Sequence, residues 1–138
     1  MLLAEAIAEK EYIKESIRDL QNYITALSIE GDQDSISKYI EELDELYKRY
    51  QKFSISIGRT KNSTVIKLND TELNLSDAYI IYESMEYKLS VYKSILDKSF
   101  ECESVYPKVL LTELEKARLD AKTIRTEIDY ALWNVETS

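Results

Sequence analysis

The residues best spaced for chemistry are three carboxylates in one short segment. Glu41, Glu42 and Glu45 form a Glu-Glu-x-x-Glu run, and on a helix Glu41 and Glu45 lie one turn apart. Carboxylates at this spacing could share a hard divalent cation such as Mg²⁺ through water. The sequence has no histidine and one cysteine, which excludes nucleophile triads, zinc fingers and His-based metal sites within one chain. Carboxylates are therefore the remaining route to catalysis.

The acidic run has a counterpart in one class of enzymes. It resembles the run of all-α nucleotide pyrophosphohydrolases of the MazG type, which hold magnesium with it and with a Glu-x-x-Asp on the next helix. The next helical segment here, 77–86, has no Glu-x-x-Asp. We therefore favour a chain without a catalytic, cofactor-binding or metal site. A magnesium-dependent hydrolase stays the alternative, with Glu41, Glu42 and Glu45 as its candidate ligands.

Two other kinds of reactive site have little support in the sequence. The two glycines lie far apart, so no Gly-rich phosphate loop is present. Cys102 lies between Glu101 and Glu103, and negative neighbours disfavour the thiolate that a reactive cysteine needs. A single cysteine also allows no disulfide within the chain.

The charge of the chain limits its partners. The net charge is −8, from 18 basic and 26 acidic side chains, whereas nucleic acids and anionic membranes attract basic surfaces. The densest basic stretch, Lys48 to Lys52, follows directly on the acidic run. The first residues carry a charge at once and have no basic leader. We expect a soluble cytoplasmic protein that binds neither nucleic acid nor a membrane.

Four segments of the sequence are predicted to be helices, and they must position the residues discussed above. Apolar residues recur at steps of three and four, which is the a/d seam of a coiled coil. The predicted seam residues are, in the first segment, Leu3, Ala6, Ile13, Ile17, Leu20, Ile24 and Leu27; in the second, Ile36, Ile40, Leu43, Tyr47, Tyr50 and Ile57; in the third, Ala78, Ile81, Met85, Leu89, Tyr92 and Leu96; and in the fourth, Leu110, Leu114, Ala117, Ala121, Ile124, Ile128, Ala131 and Val135. Gly31 and Gly58 are predicted to end the first two helices, Asp34 or Ser35 to cap the second, and Pro107 to begin the fourth. The predicted fold is one all-α domain, 1–138, of about four long antiparallel coiled-coil helices, at about 2–29, 35–57, 77–99 and 107–135.

A β-hairpin is predicted between the second and third helices, at about 64–75. Two alternating segments flank Asn69-Asp70, and a two-residue turn there pairs Ile66 with Leu73 and Lys67 with Glu72. Ser76 is predicted to cap the third helix. Because a lone hairpin is marginal in water, it must pack on the helices or on another subunit.

Three segments resemble one protein family. They are the N-terminal 1–6, the stretch 57–62 with the hairpin and Leu75-Ser76-Asp77-Ala78 after it, and 128–133, which ends at Trp133. In this order they resemble the septicolysin-like proteins, small helical proteins of prokaryotes. The sequence departs from the family pattern at Gly58, Lys61 and Leu132. The resemblance implies a helical coiled-coil fold with a hairpin and no established activity, and only the family name suggests a cytolysin.

We expect a non-enzymatic protein that assembles with copies of itself. The sequence has four apolar seams, Tyr-rich edges beside them and a hairpin. One elongated monomer cannot bury all of this apolar surface, which favours contacts between copies. The alternatives are the magnesium-dependent hydrolase and, by family name alone, a membrane-lytic cytolysin. No lytic cationic helix or membrane-length apolar run favours the cytolysin.

Overall fold

The computed structural model describes residues 1–101 and 107–137, and these form four helices and one β-hairpin. The predicted all-α fold with a central hairpin is thus confirmed. The contacts divide the chain into two compact units, Met1–Thr60 with Trp133–Ser138, and Lys61–Leu132. The single domain over 1–138 stays a prediction. The elements are α1 (Leu3–Glu30), α2 (Gln33–Ser63), β1 (Val65–Leu68), β2 (Thr71–Asn74), α3 (Leu75–Glu101) and α4 (Lys108–Asn134).

The first helix ends where its glycine predicts. Gly31 has φ 77°, the left-handed conformation that glycine adopts without steric cost. The Gly31 N–H donates to the Ser28 carbonyl, and the Asp32 N–H donates to the Leu27 carbonyl at 3.2 Å. These bonds satisfy carbonyls that the end of a helix leaves free.

The prediction that α2 ends at Gly58 is wrong, because the helix continues to Ser63. Gly58 does not have a positive φ, so it is an ordinary helical residue. Glycine lowers helix stability by roughly 1 kcal/mol relative to alanine but does not terminate a helix by itself. The end comes where the chain enters β1, after Ser63.

Two helix caps also differ from the prediction. The side chain of Asp32, rather than Asp34 or Ser35, caps α2, since it accepts from the Ser35 N–H at 3.2 Å and from the Ser35 hydroxyl at 2.7 Å. Asn74, rather than Ser76, caps α3, because its Oδ1 accepts from the Asp77 N–H at 2.8 Å. A cap residue must have a non-helical backbone, and Asn74 is the last residue of a strand.

The hairpin has the predicted register and packs within the chain. Ile66 pairs with Leu73 and Lys67 with Glu72. Asn69 and Asp70 have φ of 50° and 65°, the two positive values of a type I′ turn. The Leu75 N–H donates to the Thr64 carbonyl at 2.8 Å and ties α3 to the start of the hairpin. With Ile66 buried, the hairpin is part of the core of the second unit.

The first unit is an antiparallel helical hairpin, and most of its buried residues lie near the start of α1 and the end of α2: Leu3, Ala6, Ile13, Ile57 and Thr60. Contacts join the start of α1 to the second half of α2, where Arg49 pairs with Glu9 at 3.0 Å, and the end of α1 to the start of α2, where Tyr23 meets the Tyr39 ring edge to face. We call residues 14–56 the α1–α2 arm. Leu27 is its one buried side chain. Ile40 and Tyr47, predicted in the seam of α2, are exposed.

The second unit has the denser core. The α4 seam is buried along most of its predicted length, and the hairpin and α3 contribute further apolar side chains. The buried residues of α3 and α4 are Leu75, Ala78, Leu96, Leu114, Ala117, Ala121, Ile124, Ile128 and Ala131. The predicted helix starting at Pro107 begins one residue later, at Lys108. Cys102 and the rest of 102–106 lie outside the described residues.

Candidate functional site

The acidic run does not form a metal site within the described part of the chain. Glu41, Glu42 and Glu45 lie on α2 with exposed side chains, and Glu45 pairs with Lys48 at 3.3 Å. Residues 1–101 and 107–137 contain no group of three or more His, Cys, Asp or Glu side chains that could hold a metal ion. The geometry therefore lends no support to these glutamates as metal ligands.

Tyrosines in the second unit make contacts that are typical of packing. Tyr79 is half-buried under Lys61, whose Nζ lies 4.2 Å from the ring centroid, and burial raises the pKa of the Tyr79 hydroxyl. A hydrogen bond with Glu86 raises the pKa of Tyr82, which also lies 5.4 Å from the Arg125 guanidinium. Both shifts stabilise neutral tyrosine, which is a hydrogen-bonding group rather than a base.

A groove between α3 and α4 gathers basic side chains. Arg118, Lys122 and Arg125 line it, and its volume is 420 Å³. Arg125 pairs with Asp129 through Nε at 3.0 Å, whereas no ion pair joins Arg118 or Lys122 to another described residue. Glu86 and Asp129 line the same groove and offset much of its positive charge. The groove is therefore a weak candidate for binding an anion.

A second groove lies between α1 and α2 in the arm. Its 300 Å³ are lined mainly by Ile17 and by the apolar parts of Tyr47, Tyr50, Lys14 and Arg18. Lys14 pairs with Glu11 at 3.7 Å on the surface of α1. This groove follows the half-buried seam of a two-helix hairpin, and its lining offers no convergent polar groups for a small ligand.

The outer side of α3 carries a row of exposed apolar side chains. Helical spacing places Ile80, Tyr87, Val91 and Ile95 on one side of the helix, and Ser84 fills the polar position between them. Their exposed fractions are 63%, 74%, 38% and 42%. The buried residues of α3 lie on the other side of the helix. The helix is thus apolar on two sides, and the fold covers one of them.

Charged residues flank this apolar row in an ordered way. Asp77 and Glu83 lie in the N-terminal half of α3, and Lys88 and Lys98 lie in the C-terminal half, all exposed. Across the described ranges, none of the four is within ion-pair distance of an opposite charge. We call the apolar row together with these four charges the α3 outer face.

The sequence contained a signal for this face. The positions 80, 87, 91 and 95 repeat at helical spacing, as the seam residues Ala78, Met85 and Leu96 do. The a/d steps of the seam row are regular, and the second row runs beside it on the same helix. The fold buries residues of the seam row, as the regular steps predict, and leaves the second row exposed.

Comparisons with protein-family models, with curated proteins and with solved structures found no match. The similarity to septicolysin-like proteins therefore stays a prediction from short motifs. Among the described helices, none combines the length and the apolar character needed to cross a bilayer.

Proposed function

We propose that this chain is a non-enzymatic protein that self-associates through the α3 outer face. The observation that carries the proposal is the exposure of Ile80, Tyr87, Val91 and Ile95 on the side of α3 opposite its buried residues. Contiguous apolar surface on a folded protein is typical of an interaction site, because its removal from water is favourable by about 25 cal/mol per Å².

The size of the face indicates a weak association. From Ile80 to Ile95 the row extends about 22 Å, at about 1.5 Å per residue. A contact of this length along one helix is smaller than a standard interface, which buries about 800 Å² on each partner. We therefore expect an equilibrium between monomer and oligomer that depends on concentration. The predicted a/d seams support helix pairing as the mode of contact, and the coiled coil itself is part of the proposal.

Sedimentation velocity and light scattering over a concentration series test the proposal. We expect the weight-average mass to rise from that of one chain toward a multiple of it between about 1 μM and about 1 mM, the range of weak protein contacts. A mass of one chain at every concentration would overturn the proposal.

A pair of matched variants locates the contact. Val91→Glu introduces a charge at the centre of the face, and we expect it to raise the dissociation constant at least about tenfold, since a buried unpaired charge is costly. Leu119→Glu makes a comparable change at an exposed position of α4, where the wild-type side chain is 65% exposed. We expect Leu119→Glu to leave the mass distribution unchanged. Equal effects of both variants would argue against the α3 outer face.

The composition supports a cytoplasmic location and argues against two classes of partner. A lone cysteine is typical of a protein that does not rely on disulfides. The net charge of −8 opposes binding to nucleic acids and to anionic lipid. Dye-filled anionic vesicles should stay intact when the protein is added, and leakage would favour the lytic alternative.

A further inference from the structure

The charges of the α3 outer face are segregated along the helix axis. Within 77–98, Asp77 and Glu83 precede the midpoint of the row and Lys88 and Lys98 follow it, whereas Glu101, five turns after Glu83 on the same side, lies past the end of the row. Two such faces in parallel would place like charges opposite each other, which is unfavourable. Two antiparallel faces would place each acidic half opposite a basic half.

The spacing of the residues selects one antiparallel register. If Ile80 lies opposite Ile95 of a second copy, then Asp77 lies opposite Lys98 of that copy. The same register places Ser84 opposite Val91, so that the smallest side chain of the row meets a larger one. Tyr87 then lies opposite Lys88, whose Nζ is 5.5 Å from the centroid of the Tyr92 ring in its own chain and would turn from that ring to stack on Tyr87.

We propose that two copies of this chain pair through the α3 outer face in this antiparallel register, about a twofold axis between Tyr87 and Lys88. The proposal rests on the proposed function, because it assigns the partner and the geometry of the same face. A twofold axis makes the contact self-complementary, so every apolar and ionic pair occurs twice. It also closes the assembly at two subunits through this face.

Cysteine cross-linking tests the register in the chain of 138 residues. All variants carry Cys102→Ser, which removes the native thiol. Tyr87→Cys places one thiol of each copy beside the twofold axis, and we expect a disulfide-linked dimer on a non-reducing gel under mild oxidation. The band should disappear with a reductant, and circular dichroism should show unchanged helix content, since Tyr87 is exposed.

Ser84→Cys is the matched control on the same face. In the proposed register, position 84 of one copy is about 10 Å along the axis from position 84 of the other, beyond the reach of about 7 Å between the Cα atoms of a disulfide. We expect Ser84→Cys alone and Val91→Cys alone not to cross-link. A mixture of these two proteins should cross-link, because positions 84 and 91 face each other. A parallel pair would instead cross-link each single variant with itself.

A charge exchange tests the ionic pairs without a covalent bond. Lys98→Glu places two carboxylates opposite each other at both ends of the contact, and we expect the dissociation constant to rise about tenfold at low salt. Asp77→Lys combined with Lys98→Glu should restore most of the affinity. Lys93→Glu changes the same charge elsewhere on α3, away from the outer face, and we expect it to have a much smaller effect.

The outcomes separate this inference from the proposed function. If the protein dimerises, but Ser84→Cys cross-links with itself as readily as Tyr87→Cys does, the antiparallel register is wrong and self-association stands. Failure of the double charge exchange to restore affinity would likewise count against the register. If the mass stays that of one chain throughout, the proposed function is wrong and this inference falls with it.

Discussion

The α1–α2 arm and α4 have the same apolar periodicity but differ in how much of it is buried. In residues 14–56, Leu27 alone is buried, and seam residues such as Ile17 and Ile24 are half-buried. In α4 the seam residues from Leu114 to Ala131 are buried in succession. A regular seam therefore predicts which side of a helix turns inward, but not how far water is excluded.

The number of elements around each seam explains the difference. In the arm, two helices face each other, and each covers one side of the other's seam. In the second unit, α3 and α4 pack with the β-hairpin, and Leu68 and Asn69 of the hairpin line a small cavity with Ile124 of α4. A third element covers the seam from another direction, as a closed core requires.

The largest expected contrast is between two isoleucines. Ile128 of α4 is fully buried and Ile24 of the arm is half-buried. We expect Ile128→Ala to lower the free energy of unfolding by about 2–5 kcal/mol and Ile24→Ala by roughly 1–2 kcal/mol, because the cavity left at position 24 is partly open to water. Urea unfolding followed by circular dichroism measures both. Equal losses of unfolding free energy would show that the arm excludes water to the same degree as the second unit.

Replacing each of the two glycines by alanine should change the stability by less, and the two changes should have opposite signs. Gly31→Ala must adopt a left-handed backbone, and we expect it to destabilise the protein by about 1 kcal/mol. Gly58 is helical, and a Cβ added there meets nothing within 4 Å. We expect Gly58→Ala to stabilise the protein by about 0.5–1 kcal/mol through its higher helix propensity. Thermal unfolding of both variants tests this, and a destabilised Gly58→Ala would contradict the role assigned to Gly58.

The smallest expected effect on stability comes from Asp32, between α1 and α2, and it depends on pH. The hydrogen bond from the Ser35 hydroxyl, together with one from the Ser35 N–H, holds the pKa of Asp32 below its ordinary value. Because the pKa is lower in the folded state, this cap contributes stability above the unfolded-state pKa, and the contribution is lost as the pH falls through the folded-state pKa. NMR titration of the Asp32 carboxyl should give a midpoint below about 3.9, the ordinary value.

Ser35→Ala is the control for this titration. It removes the hydroxyl donor and keeps the backbone N–H, so the midpoint should move up toward the ordinary value. A midpoint that is the same in wild type and Ser35→Ala would show that the hydroxyl does not stabilise the carboxylate.

Most of the fold could be predicted from local patterns. The four helices, the hairpin, its pairing of Ile66 with Leu73 and the left-handed Gly31 all follow from periodicity and turn chemistry. The predicted helix caps are wrong where two or more nearby residues could each cap the same helix. Asp34 and Ser35 can cap a helix as Asp32 does, and Asn74 competes with Ser76 in the same way. The backbone selects the residue that is still non-helical, and composition does not reveal which one that is.

The sequence by itself determined the class of fold, because helical periodicity is a local property of the chain. It also excluded His-based chemistry and disulfides within the chain, because it has no histidine and one cysteine. The tertiary structure decided that the second apolar row on α3 stays exposed. It also leaves Glu41, Glu42 and Glu45 outside any group of three or more possible metal-ligating side chains among the described residues. Both outcomes depend on which side chains the fold brings together from distant parts of the chain. Burial and the convergence of carboxylates are properties of that arrangement, and no single segment carries them.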